Sequence, residues 1–232
     1  MRKLEQRLAI FIVLVLSIGI SLAYMQARSS PSPAPASVAP KPLTVAVVGD
    51  SITEGVSDPT DPRHKESYPS QLQTLLGSNY KVINYGASGR TLLDTGDLPY
   101  TQSPVYITSH QTNPNIVLIM LGTNDSKPQN WNAREFEPQL TKFVLGYANL
   151  PSHPKVYVMT PPAAFANDIN VSGAVIEHEI IPAISRVAAK THVSVVDIFS
   201  VISAHPEYLT DGVHPNAEGA KAIAQRIKSS LK

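Results

Sequence analysis

Four short segments, far apart in the chain, carry residues able to do acyl chemistry between them. Ser51 closes the run VAVVGDS, where an apolar stretch stops at Gly49-Asp50-Ser51. A Ser there can cap a helix, bind phosphate or act as a nucleophile. As a nucleophile it needs a base, because a hydroxyl attacks poorly near neutral pH. His suits that task, with an unperturbed pKa of about 6.5. The segment DGVHPNAEG, residues 211–219, supplies Asp211 three residues before His214. That spacing lets the carboxylate reach Nδ1, which fixes the tautomer and leaves Nε2 for Ser51. A tetrahedral intermediate also needs donors for its oxyanion. Gly89, in NYGASGRT, can offer a backbone N–H with no side chain in the way, and Asn124, in GTND, can offer its side-chain amide. The Ser51 N–H makes a third donor. Each segment alone has a plainer reading: a turn with a helix cap, a second turn, a solvated loop. The signal lies in their joint occurrence and order.

Hydrophobic patterning places these segments. Leu43–Val48, Tyr80–Tyr85, Asn115–Leu121, Lys155–Met159 and Val193–Ile198 are short apolar runs that predict five strands buried on both faces. Helices are expected at Tyr68–Leu76, with Ser67 as cap and Gly77 as stop, and more weakly at Pro104–Gln111. Further helices are expected over Arg134–Leu150 and Ala217–Leu231. Val171–Lys190 is also helical in pattern, with Pro182 expected to kink or split it. Alternating strands and helices predict a three-layer α/β/α sandwich on a parallel, flavodoxin-like five-stranded sheet. Right-handed crossovers bring the carboxyl ends of the strands to one edge, where ligand sites form. The Ser51, Gly89 and Asn124 segments each follow a strand, and Asp211/His214 precede the last helix.

In this order the four segments resemble those of the SGNH hydrolases, also called GDSL esterases/lipases. The likeness runs through nearly all of residues 43–232. Within that family SYPSQLQTLLG, NYGASGRTLL, IMLGTNDSKPQNW and DGVHPNAEGAKAIA are most similar to the sialate O-acetylesterase-like branch. The resemblance implies a Ser51–His214–Asp211 esterase, an oxyanion hole of Ser51, Gly89 and Asn124, and O-acetylated sugar as substrate. Lysophospholipase or thioesterase activity is the alternative within the family, and a non-catalytic carbohydrate-binding module is the alternative outside it. Asp50, Arg90 and Trp131 are candidates for substrate contacts. Trp131 could stack on a sugar or pack in the core, and Arg90 could equally make a surface ion pair. The connections look modest, which predicts an open, shallow site for a small acyl group on a large polar alcohol. The rate should then rise with pH as His214 loses its proton, with a midpoint of about 6–7.

Other classes fit less well. Ser51 and Ser88 each miss the Gly-x-Ser-x-Gly elbow by one residue. No phosphate-binding glycine motif occurs. Asp50, Asp125, Asp211 and His214 could in principle hold a metal. Cys is absent, however, and no two His residues sit at ligand spacing, so neither a metal nor another cofactor is expected. A net charge of +1 without a clustered basic patch argues against nucleic acid as partner. Small-molecule or polysaccharide esters are the expected partners. The 232 residues are 43% apolar, enough for one sizeable domain.

The start of the chain has a separate logic. Arg2, Lys3 and Arg7 precede an apolar run from Leu8 to Ala23. Residues 1–27 therefore read as a signal peptide or signal anchor, with residues 8–25 as the only membrane contact if uncleaved. Removing them takes away three basic groups and one acid, leaving a domain of −1. Residues 28–42 read as a Pro/Ala/Ser-rich tether, and 43–232 as the hydrolase domain, exported to periplasm or medium.

Overall fold

The computed structural model describes residues 2–28, 41–56 and 66–231. Most of the expected tether, 28–42, and residues 57–65 lie outside the described residues. The chain divides into two units, one ending at Pro40 and one running from Lys41. The first contains helix α1 (Arg2–Arg28). Its stretch Arg2–Gln26 is long and apolar enough to cross a membrane, by length and composition.

The second unit runs β1 (Leu43–Gly49), α2 (Ser51–Glu54), α3 (Tyr68–Leu76), β2 (Tyr80–Gly86), α4 (Pro104–Gln111), β3 (Ile116–Met120) and α5 (Ala133–Ala148). It continues with β4 (Lys155–Met159), α6 (Gly173–Val175), α7 (Ile181–Thr191), β5 (Ser194–Val196), α8 (Phe199–Ser203) and α9 (Ala217–Ser230). The five strands form one parallel sheet in the order β2-β1-β3-β4-β5. Chain order reverses direction at β1, so α3 and α9 pack together on one face and α5 and α7 on the other. The expected α/β/α sandwich is therefore the fold observed.

Burial follows position in the sheet. Val45–Val48 of β1 and Val117–Met120 of β3 are wholly inaccessible to water. The edge strands differ from the expectation of burial on both faces. Lys81 and Asn84 of β2 and Ser194 and Val195 of β5 are exposed, because an edge strand has one sheet neighbour and incomplete helical cover. The Val171–Lys190 segment also departs from a plain α-helix. A π turn at Ile176–Ile180 joins α6 to α7, with Pro182 in the first turn of α7. Pro182 has no N–H to donate, and the wider turn just before it accommodates that loss.

Register brings the site segments together. Gly49 pairs with Gly86 on one side and Met120 on the other, so β1, β2 and β3 end on one rung. Ser51, Gly89 and Asn124 thus leave the sheet side by side. Two glycines make this possible by close approach. A Cβ on Gly49 would lie 2.1 Å from Thr53 Oγ1 and 2.6 Å from the Met120 carbonyl oxygen. A Cβ on Gly86 would lie 2.1 Å from the Glu54 nitrogen. Any side chain at either position would push α2 off the strand ends.

Candidate active site

Ser51 is the first residue of α2, so its N–H has no acceptor within that helix. Asp50 is the cap: its Oδ1 accepts the Ile52 N–H at 3.0 Å, and its side chain is fully buried. The cap holds the turn after β1, which aims Ser51 away from the sheet. Thr53 on the same turn is tied into the core, 2.7 Å from the buried Tyr68 hydroxyl.

His214 and Asp211 sit on a tight loop closed by a bridge between Leu209 and Pro215. The Thr210 N–H donates to the His214 carbonyl at 2.9 Å. Asp211 Oδ1 accepts the backbone N–H groups of Val213 (3.0 Å) and His214 (2.7 Å). Its Oδ2 lies 2.7 Å from His214 Nδ1. A carboxylate accepts only, so Nδ1 carries the proton and Nε2 presents its lone pair. Nε2 lies 2.8 Å from Ser51 Oγ, with 16% of the His214 side chain exposed. Gly212 lets the loop turn, with φ of +84° and a carbonyl that accepts the Phe165 N–H at 2.9 Å. The hydrogen bonds from Val213, His214 and the imidazole outweigh partial desolvation of Asp211, and hold its carboxyl below the usual range.

The two expected donors lie on the loops after β2 and β3, the strands that pair on either side of β1. Gly89 has φ of +74°, a left-handed conformation that favours glycine. Among the described residues nothing accepts its N–H. Asn124 is buried, and its Nδ2 donates to the Arg90 carbonyl at 3.2 Å. One amide hydrogen remains for another acceptor. Asn130 Nδ2 donates to the Asn124 carbonyl at 3.0 Å and to Asp97 Oδ1 at 3.0 Å, fixing the loop from behind.

The three candidates for substrate contact separate. Asp50 is sealed beneath Ser51, out of reach of any substrate. Burial pushes its pKa up to about 6, against lowering by the Ile52 N–H, Thr123 and His214. Arg90 Nη1 donates to the Pro99 carbonyl at 3.2 Å, while Nε is buried without a hydrogen-bond partner among the described residues. Trp131 is half-buried, 5.3 Å from the Phe136 ring, and its Nε1 donates to Glu179 at 2.9 Å. Among the described residues its contacts do not include Ser51, Asp211 or His214. A small cleft beside Ser51 is lined by Gly55, Val56, Tyr68, His214 and Pro215. Among the described residues no three His, Asp or Glu side chains converge as a metal site would require.

The family model for GDSL-like lipase/acylhydrolases matches residues 47–222, a span that takes in all four segments. The chain belongs to the GDSL-like lipase/acylhydrolase family. It is 36% identical over 209 residues to a protein of Xylanibacter ruminicola described as an acetylxylan esterase, covering 82% of this chain and 43% of that one. It is 32% identical over 217 residues to a multidomain esterase of Ruminococcus flavefaciens, covering 79% and 28% respectively. This chain therefore spans less than half the length of these curated relatives. Among solved structures, a carbohydrate acetylesterase family member from Sinorhizobium meliloti superposes with a TM-score of 0.63 at 26% identity, covering 81% of this chain and 96% of that one. The GDSL-like family expected from the sequence is thus the family found.

Two residues at the site have roles that the sequence does not reveal. Asp125 has the type of a metal ligand, yet both its oxygens take backbone N–H groups, from Leu92 (2.9 Å) and Leu93 (2.8 Å). Glu54 has the type of a polar loop residue, yet its Oε2 accepts the Ser88 N–H at 2.7 Å. The partners are backbone groups more than thirty positions away, which no side-chain pattern reveals. The only local hint for Asp125 is its place directly after Asn124.

Proposed function

We propose that this protein is an exported serine esterase that removes acetyl or other short acyl groups from carbohydrate. Ser51 Oγ attacks the ester carbonyl carbon while His214 Nε2 takes its proton. Asp211 orients the imidazole and stabilises its charge. The oxyanion is held by the N–H groups of Ser51 and Gly89 and by Asn124 Nδ2. Collapse of the intermediate expels the sugar hydroxyl, which receives the proton from His214. Water, giving its proton to Nε2, then attacks the acyl-enzyme and releases the carboxylate, restoring Ser51.

One observation carries the reading: the unbroken chain from Ser51 Oγ through His214 to Asp211, at 2.8 and 2.7 Å. The described activity of the Xylanibacter relative supports an acetylated polysaccharide as substrate. The apolar Arg2–Gln26 helix supports export, as a signal sequence or an anchor.

The test is acetate release by wild type and Ser51→Ala from acetylated xylan, acetylated sialic acid and p-nitrophenyl esters of graded length. Release from an acetylated glycan by wild type alone is the expected result. A preference for acyl chains of eight carbons or more would move the enzyme to the lipolytic side of the family. Unchanged hydrolysis by Ser51→Ala would remove the nucleophile. No hydrolysis of any ester would favour a binding module.

A further inference from the structure

The three oxyanion donors come from three different crossovers, yet they must face one atom. Ser51 follows β1, Gly89 follows β2 and Asn124 follows β3. Parallel pairing aligns the strand ends, but it does not hold the loops beyond them. The Gly89 loop is the critical member, because its donor is a backbone N–H on a left-handed residue outside any helix or strand.

Two carboxylates reach into this loop from the two neighbouring segments. Glu54, three residues after Ser51, takes the N–H of Ser88, the residue just before Gly89, at 2.7 Å. Asp125, the residue after Asn124, takes the N–H groups of Leu92 and Leu93 at 2.9 and 2.8 Å. The loop is thus gripped on one side by the segment of Ser51 and on the other by the segment of Asn124. Each grip is a hydrogen bond of ordinary length to a backbone N–H, and the two come from different segments, so together they resist displacement of the loop. Gly86 allows the first grip, since the Glu54 backbone crosses where its Cβ would stand.

We propose that Glu54 and Asp125 are positioning residues that hold the Gly89 loop in register with Ser51 and Asn124, so that the three oxyanion donors are set before substrate arrives. The proposal rests on the esterase reading above. Neither carboxylate touches the reacting atoms; both act through the Gly89 N–H. Donors fixed in advance cost no reorganisation during the reaction, and a displacement of about 1 Å at such a site can cost about a hundredfold in rate. Loss of a grip should therefore lower kcat and spare KM, since a ground-state carbonyl gains less from the donors than an oxyanion does.

Glu54 is half-buried and its removal leaves the core intact, which makes it the cleaner probe. Glu54→Ala, Glu54→Gln and Asp125→Asn are compared with wild type on p-nitrophenyl acetate, with Tm measured on each. Glu54→Ala is expected to lower kcat about tenfold with KM within about twofold. Glu54→Gln retains an acceptor oxygen and should recover most of that loss. Asp125→Asn keeps one acceptor and places an NH2 against the other N–H, so its kcat should fall further. If Asp125→Asn does not fold, the Glu54 pair decides. A Glu54→Ala enzyme with kcat within twofold of wild type would overturn the proposal. So would equal losses in the Ala and Gln variants, or a loss confined to KM. Failure of the esterase reading looks different, because wild type would then hydrolyse no ester, or Ser51→Ala would hydrolyse esters as wild type does.

Discussion

Asp50 and Asp125 lie beneath the strand ends, wholly out of water, whereas Asp211 stands on the 209–215 loop with 49% of its side chain exposed. All three accept backbone N–H groups. Their acidities nevertheless move in opposite directions. Desolvation dominates at the sheet edge: it raises Asp50 to about 6 and Asp125 to about 7, where the Leu93 and Leu92 N–H groups pull down and the charge of Asp50 pushes up. At the rim, partial desolvation also raises Asp211, but the His214 and Val213 donors win and the net direction is downward. Asp125 has two N–H donors and Asp211 has two plus an imidazole, so the donor count differs little. Access to water separates the two regions, and it suits the roles proposed for them. A carboxylate that stabilises a transient imidazolium must stay ionised. A carboxyl that anchors backbone can give up some stability to its burial.

The sharpest break in this comparison is Asp211→Asn. Asn cannot accept from Nδ1–H with the same strength, and it stabilises the unwanted tautomer. By analogy with other triads kcat should fall about 10⁴-fold. Tm should move by only a few degrees, because the side chain is half in water. Steady-state kinetics with thermal unfolding on one preparation checks both. A loss of less than tenfold would place Asp211 outside the mechanism.

The buried pair predicts the reverse pattern, a pH effect on stability. Both carboxyls ordinarily titrate at 3.8, and in the folded protein at about 6 and about 7. The folded state therefore binds more protons than the unfolded one across that window. Their contribution is fully present below pH 3.8 and is lost as pH rises through 6 and 7. Asp211 has the opposite sign: its contribution is present above 3.8 and lost as pH falls through its lower folded value. A tenfold change in acidity on folding corresponds to about 1.4 kcal/mol, and the two buried sites titrate as a coupled pair. Tm should be about 5–10 °C higher at pH 5 than at pH 8. Asp50→Asn should flatten that slope. A Tm that climbs steadily from pH 5 to 8 would contradict the burial argument.

Gly212→Ala tests how far the rim depends on backbone geometry alone. The residue has φ of +84°, and a Cβ would lie 2.3 Å from the Ala166 carbonyl oxygen. Left-handed strain costs about 1–3 kcal/mol, and relief must come from shifting the Asp211–His214 loop. The expectation is a kcat about 10–100-fold lower with a smaller loss of Tm, since the loop lies outside the sheet. Loss of Tm with full activity would mean that the loop absorbs the methyl elsewhere.

The two regions also differ in how legible they are in the sequence. The central strands are readable because Val45–Val48 and Val117–Met120 are unbroken apolar runs, which only a two-sided buried strand explains. Ser51, Asp211 and His214 are readable because a Ser at a strand end and an Asp-x-x-His pair are distinctive types, and the last two are close in sequence. The structure brings all three into hydrogen-bond contact. Glu54 and Asp125 are not readable, because a carboxylate gripping remote amides looks in sequence like any polar turn residue. The π turn before Pro182 is half readable: proline forbids an ordinary hydrogen bond there, but does not say which irregular turn replaces it. Trp131 carries no signal to choose between stacking on sugar and packing, and it packs on Phe136.

Thr123→Val has the smallest expected effect and probes the floor of the site most finely. Thr123 Oγ1 and Asp50 Oδ2 are both buried, and neither has a formed hydrogen bond among the described residues. The hydroxyl is still near enough to lower the pKa of Asp50. Replacing an unpartnered buried hydroxyl by a methyl of similar shape is close to neutral while Asp50 is protonated. Once Asp50 ionises, the carboxylate loses the one side-chain dipole that favours its charge. Tm should thus match wild type near pH 5 and fall slightly below it at pH 8, with the descending limb of the stability curve running on to higher pH. The proton would leave Asp50 later, its midpoint moving up from about 6, while kcat stays within about twofold. Identical stability curves from pH 4 to 9 would show that Thr123 does not solvate Asp50, and that desolvation is opposed there only by the backbone N–H groups of Ile52 and Asp50 and the His214 charge.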